Sequence, residues 1–68
     1  MRVSRHAKER MMERSITVQQ VATVLRYGHR MVNRHDANKL TFVDNQLNVY
    51  VVTDKEMSCV ITVFKKEK

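Results

Sequence analysis

The spacing of apolar residues along the chain changes near residue 30. Before that point apolar residues recur at helical intervals, first at Ala7 and Met11 and then, at i, i+3, i+4 and i+7, at Val18, Val21, Ala22 and Leu25. After it they alternate with a period of two, which is typical of strands. The pattern predicts helices over about residues 5–14 and 18–27, followed by a sheet.

Both predicted helices carry capping signals. Ser4 is a favourable N-cap for the first helix. Thr17 and Gln20 form the T-x-x-Q capping box of the second helix, and Ile16 precedes the cap as one half of a hydrophobic staple. Gly28 stands where a residue in the left-handed conformation would close this helix.

The second half of the chain predicts strands over about residues 39–43, 46–53 and 56–65. Asp44-Asn45, a pair that tolerates positive φ, favours a hairpin turn between the first two. The predicted fold is therefore one α+β domain, in which a hairpin of two helices packs on one face of a three-stranded antiparallel sheet. The sheet becomes four-stranded if residues 1–3 add an edge strand.

Alternation also assigns residues to the two sheet faces. In the last strand it groups Met57, Cys59, Ile61 and Val63 on one face. The other face would hold Ser58, Val60, Thr62 and Phe64, and with Tyr50 and Val52 it would be more apolar than a solvated face usually is. This predicts that another segment or a partner covers that face. A core of this size without a disulfide is only marginally stable, so a homodimer is one possible partner arrangement.

The chain is strongly basic, and this indicates which partners it could bind. Thirteen Lys and Arg against seven Asp and Glu give the 68 residues a net charge of +6, which attracts polyanions. Nucleic acid is the first partner to consider, although the same charge also simply keeps a small protein soluble. The chain has one cysteine and no apolar stretch of signal-peptide or membrane-span length. We therefore expect a cytoplasmic protein without membrane contact.

The clearest candidate chemistry lies on the first helix. His6, Arg10 and Arg14 are four residues apart and form one cationic stripe, presenting imidazole and guanidinium groups that suit a phosphate. In a ribonuclease they would act as catalytic residues, with the imidazole moving a proton and the guanidiniums stabilising charge. The alternative is structural: His6 caps or packs the helix hairpin while Arg10 and Arg14 pair with Glu9, Glu13 or the sheet edge.

Other cations form candidate nucleic-acid contacts. One group surrounds the end of the second helix and comprises Arg26, Arg30 and Arg34, together with His29 and His35. These cations equally complement the helix dipole. Lys65 and Lys66 follow the last strand, where a solvated terminus is the alternative, and Tyr50 is a further polar candidate whose alternative role is cross-strand packing.

Metal and cofactor sites are not expected. The three histidines and Cys59 lack the paired spacing of zinc ligands, and Cys59 suits a small buried thiol in a strand. A phosphate-cradling loop needs several glycines, and Gly28 is the only one. We expect no metal and no cofactor.

The segment HAKERMMERSI resembles the signature H-A-x-x-R-M-x-x-R-x-I of a family of small uncharacterised bacterial and mobile-element domains. The closing NVYVVTDKEMSCVITVFKK is similar to that family's last two strands. The family commonly has glycine where Ser15 stands, which affects the turn between the helices and not the chemistry.

Such domains are similar in layout to the helix-helix-sheet toxins of the RelE and ParE type. The resemblance implies a small toxin-like domain that acts on nucleic acid or the ribosome, with metal-independent ribonuclease activity as a candidate and an acidic antitoxin as a partner. The alternative is a non-catalytic inhibitor, of phage or plasmid type, that binds a host protein or nucleic-acid complex. The sequence does not decide whether the protein is an enzyme.

Overall fold

The computed structural model describes residues 2–32 and 38–65. Within them the chain forms two helices and five strands. In chain order these are β1 (Arg2–Val3), α1 (Arg5–Glu13), α2 (Val18–Tyr27), β2 (His29–Val32), β3 (Lys39–Asp44), β4 (Val49–Asp54) and β5 (Cys59–Lys65).

The five strands form one mixed sheet in the order β1-β5-β4-β3-β2. Strands β2 to β5 pair antiparallel, while β1 lies parallel to β5 at the opposite edge. The α+β class with two helices is confirmed, and the possible edge strand from the first residues is present as β1. The sheet has five strands and is mixed, where three or four antiparallel strands were predicted. The missed strand, β2, has only four residues, too few for alternation to define a strand against the preceding helix.

Both helices pack on the same face of the sheet, α1 against β5 and α2 against β4 and β3. They make far fewer contacts with each other than with the strands. The predicted hairpin packed as one unit is therefore replaced by two helices lying side by side on the sheet. We call the face beneath them the inner face and the opposite face the outer face.

The core lies between the helices and the inner face. Its helical side comes from Ala7 and Met11 of α1 and from Val21 and Val24 of α2. The predicted apolar face of α2 is partly wrong, because Val18 is exposed, as is Ala22. The buried face of α2 is narrower than its apolar face, since only Val21 and Val24 are buried and Leu25 is partly buried beside them.

The capping predictions for both helices are confirmed. Ser4 Oγ accepts a hydrogen bond from the Ala7 N–H at 3.0 Å and donates one to the Ile61 carbonyl at 2.7 Å, so the cap also ties α1 to β5. The Thr17 and Gln20 side chains make the reciprocal bonds of the capping box at 3.1 and 3.0 Å.

Two turns differ from the sequence prediction. Gly28 has φ −73° and ψ 166°, an extended conformation, so it does not close α2 in the left-handed region. The left-handed residue lies between the helices instead, at Ser15 with φ 55°. In the β3–β4 turn, positive φ falls on Asn48, while Asp44 Oδ1 accepts the N–H groups of Gln46 and Leu47. This longer turn delays the start of β4 to Val49.

A register shift in β5 corrects the predicted faces. Val52 pairs with Thr62, but Thr53 pairs with Val60, so Ile61 is an extra residue in the ladder. A residue inserted in this way reverses the alternation beyond it. Val60 therefore joins Val63 in the core, not the outer face to which simple alternation assigned it.

Candidate functional site

The cationic stripe of α1 lies on the solvent side of the helix. Ala7 and Met11 occupy the buried side, and the side chain of His6 is exposed. Arg10 follows one turn later and is 41% exposed, while Arg14 is the exposed C-cap residue whose N–H donates to the Arg10 carbonyl at 3.0 Å. The exposure of His6 argues against its packing between the helices and leaves a capping role open.

The arginine part of the structural alternative receives support. Arg10 Nη1 lies 3.8 Å from Glu13 Oε2, and Arg5 Nε lies 3.6 Å from Glu9 Oε1. Ion pairs as exposed as these contribute little stability and break readily. The Arg10 guanidinium can therefore exchange its carboxylate for a phosphate at small cost.

The second group of predicted cations lies far across the sheet from α1. Arg26 is exposed in the last turn of α2, and Arg30 is exposed on the edge strand β2. Lys65 is exposed at the end of β5, whereas Arg34 and Lys66 lie outside the described residues. Because α1 contacts β5 and β2 is three strands away, one compact pocket does not contain both groups.

The outer face carries a row of residues that are aligned across four strands. Strand register aligns His29, Val43, Tyr50 and Phe64 across four strands, and we call this line the outer row. The Tyr50 and Phe64 rings stack with centroids 4.8 Å apart and planes at 8°. Cross-strand packing of Tyr50, the alternative to a polar role, is thus confirmed. Alternation signalled both aromatics, but only the register places them side by side.

A groove of about 290 Å³ adjoins the His29 end of the outer row. It lies between the end of α2 and the β3–β4 turn, and its polar lining includes Tyr27, His29, Asp44, Asn45 and Gln46. Sequence reasoning missed this groove, because no local pattern reveals that residues 27–29 meet residues 43–46.

An apolar groove of about 450 Å³ lies between α1 and the start of α2. Met11 and Ile16 lie in its lining, and the side chains of Met12 and Val18 are 83% and 71% exposed. Lys8 is the charged residue of the lining. Exposed apolar side chains beside such a groove are typical of a protein contact.

The β4–β5 turn is held by Asp54. Its carboxylate accepts hydrogen bonds from the Ser58 hydroxyl and from the N–H groups of Ser58 and Cys59, at 2.7 and 3.2 Å for the two N–H groups. Principally through the Ser58 hydroxyl, these bonds lower the pKa of Asp54 below its ordinary value. This carboxylate stabilises the turn between β4 and β5.

Within residues 2–32 and 38–65, no group of three or more His, Cys, Asp or Glu side chains is arranged to hold a metal ion. Cys59 is partly exposed rather than buried. Neither described helix combines the length and apolar character that crossing a bilayer demands.

Comparison with known proteins places the chain in a family. No curated protein and no solved structure matches it. A family model described as "Domain of unknown function (DUF4258)" matches residues 3–65, which include every described helix and all but one residue of the described strands. The predicted membership in an uncharacterised small-domain family is thereby confirmed, and the chain belongs to the DUF4258 family.

Proposed function

We propose that this basic domain acts on nucleic acid or on the machinery that handles it, with metal-independent RNA cleavage as its candidate activity. The observation that supports this most is the exposure of His6 on α1, one helical turn before Arg10 and two before Arg14. Guanidinium groups bind phosphate oxygens, and imidazole both accepts and donates protons near neutral pH. The predicted likeness in layout to RelE and ParE toxins points to the same substrate.

The proposed reaction is attack of a 2′-hydroxyl on the adjacent phosphorus. His6 takes the hydroxyl proton as the new O–P bond forms, and Arg10 and Arg14 stabilise the charge on the phosphoryl oxygens. The bond to the 5′-oxygen then breaks, and that oxygen takes a proton from solvent. Arg10 is four residues from both His6 and Arg14, so a phosphate bound by Arg10 lies between the other two side chains.

The test uses purified protein with RNA alone and with ribosomes, in the presence of a metal chelator. His6→Ala should reduce cleavage by at least about 100-fold, the usual contribution of a general base. Arg10→Ala should also reduce it. Arg5→Ala is the matched control, because it removes the same charge from the same helix outside the stripe and should leave cleavage close to that of the unmodified protein.

Two results would remove the catalytic proposal. One is that RNA stays intact with the unmodified protein, both alone and with ribosomes. The other is that His6→Ala cleaves RNA as fast as the unmodified protein does. Expression in growing cells adds an independent measurement, since a toxin slows growth and its His6→Ala variant should not.

A second candidate function is non-catalytic binding of an acidic host protein or antitoxin. The apolar groove between α1 and α2 favours it, because Met12 and Val18 are exposed beside a basic rim at Lys8. An amphipathic acidic segment would bury these side chains and complement the charge. Met12→Gln should then abolish a purified stoichiometric complex while leaving RNA binding unchanged. A complex that survives this substitution would place the partner elsewhere.

A further inference from the structure

We infer that the outer row is a stacking platform for single-stranded nucleic acid. The inference deepens the proposed function and rests on it, because it names the form of nucleic acid that the domain binds. It assigns a role to Tyr50, Phe64 and His29 that is separate from the stripe on α1.

The platform is exposed to solvent at its two ends, Phe64 and His29, whereas Val43 within the row is buried. Both helices pack on the inner face, so within the described residues no helix covers the outer face. Phe64 is 41% exposed, and β1 pairs only with Cys59 and Val60 of β5. No described strand therefore lies beyond Phe64 on the side away from Tyr50. One face of the Phe64 ring packs on Tyr50, and the other is available to a base.

The arrangement of the row suits a strand that crosses the sheet. Its four residues lie on adjacent strands, so at about 4.8 Å per strand it runs about 14 Å from Phe64 to His29. Aromatic side chains in register on neighbouring antiparallel strands are a common way to stack unpaired bases. Tyr50 and Phe64 already form the first two layers of such a stack.

One end of the row carries groups that suit the rest of a nucleotide. The imidazole of His29 is exposed there and can contact a phosphate, whereas Lys65 pairs with the core residue Val49 and lies on the inner-face side of β5. The adjoining groove supplies Asn45 and Gln46, whose amides can hydrogen-bond base edges. The groove's carboxylate, Asp44, is engaged by backbone N–H groups of its own turn.

Charge favours nucleic acid over a second copy of this chain. A net charge of +6 attracts a polyanion but opposes the approach of an identical molecule. The apolar outer face therefore suits nucleic acid better than a second copy of the chain, because nucleic acid combines apolar base faces with negatively charged phosphates.

The experiment measures binding of a labelled ten-nucleotide oligouridine and of an RNA duplex by fluorescence anisotropy. The unmodified protein should prefer the single strand, since a duplex hides its base faces. Phe64→Leu keeps an apolar side chain but removes the ring, and it should weaken single-strand binding by about 5- to 150-fold, the usual effect of losing one stacked base. Phe64→Trp should restore binding. Met12→Ala, an equally apolar change on the helix side, should have no effect.

Salt dependence separates stacking from charge. Phe64→Leu should leave the slope of log Kd against log salt unchanged, because the ring it removes carries no charge. Equal affinity of Phe64→Leu and the unmodified protein overturns the platform while leaving the proposed function standing. Failure of the unmodified protein to bind either RNA removes both. A dimer in light scattering that Phe64→Leu converts to a monomer also overturns the platform, because it assigns the face to a second copy.

Discussion

The role of Gly28 can be tested by adding a single carbon atom. A Cβ on Gly28 would lie 2.5 Å from the Val24 carbonyl oxygen and 2.7 Å from the Val43 carbonyl oxygen. Both atoms belong to the backbone, and the Gly28 N–H itself donates to Val24 at 2.8 Å. The glycine therefore lets the end of α2 approach β3 closely.

Two opposing effects set the size of the loss in Gly28→Ala. At φ −73° alanine meets no backbone strain, so the unfolded state alone would favour the variant by about 0.4–1 kcal/mol. Forcing extra volume into a packed contact costs about 1–3 kcal/mol, and two overlaps below 3 Å place this site toward the upper end. We expect a net loss of about 1–2 kcal/mol, with a fall in Tm of about 4–8 °C per kcal/mol in a domain of this size.

Urea denaturation and thermal unfolding measure this loss, and Gly28→Asn reveals its cause. If glycine were needed for a left-handed conformation, asparagine would be tolerated better than alanine, because asparagine enters that region more easily. If the close approach decides, both side chains carry the same Cβ and both variants lose stability. Gly28→Ala as stable as the unmodified protein would refute the reasoning outright, and a well-tolerated Gly28→Asn would restore the left-handed interpretation.

Three further predictions concern the turns and the cap. Ser15→Gly should raise the free energy of unfolding by about 0.5–1 kcal/mol. At φ 55° serine is strained, and relief of this strain outweighs the greater conformational entropy that glycine gives the unfolded chain. A lower Tm for this variant would contradict the prediction. Ser4→Ala should lower the free energy of unfolding by about 1–2 kcal/mol in urea, since it removes the N-cap and the bond to Ile61, and Ser4→Thr should recover part of the loss. Because the pKa of Asp54 is lowered in the folded protein, this carboxyl binds fewer protons in the folded state than in the unfolded state at pH values near this pKa. Its contribution to folding stability is therefore present above the ordinary pKa of 3.8 and is lost as the pH falls through the lowered value. Asp54→Asn should flatten the acid limb of stability against pH, as should Ser58→Ala, and an unchanged acid limb in both would show that this carboxylate does not contribute.

Local chemistry determined the helical half of the fold and the α+β class. The capping hydrogen bonds join residues that are three apart in the sequence, namely Ser4 with Ala7 and Thr17 with Gln20. Such short-range motifs therefore predict where a helix begins without knowledge of the tertiary structure. The stripe of His6, Arg10 and Arg14 follows in the same way from helical periodicity. Its exposure was not determined locally, since it depends on which side of α1 meets β5.

Tertiary structure decided the features that depend on contacts between distant residues. The bulge at Ile61 places Val60 in the core, the approach of Val43 requires Gly28, and strand register brings Tyr50 beside Phe64. Alternation along one strand cannot reveal an inserted residue, because the insertion is defined only against the partner strand. The sequence by itself therefore determined which residues could form helices and strands and carry charge, and only the pairing of the strands decided which side chains share a face.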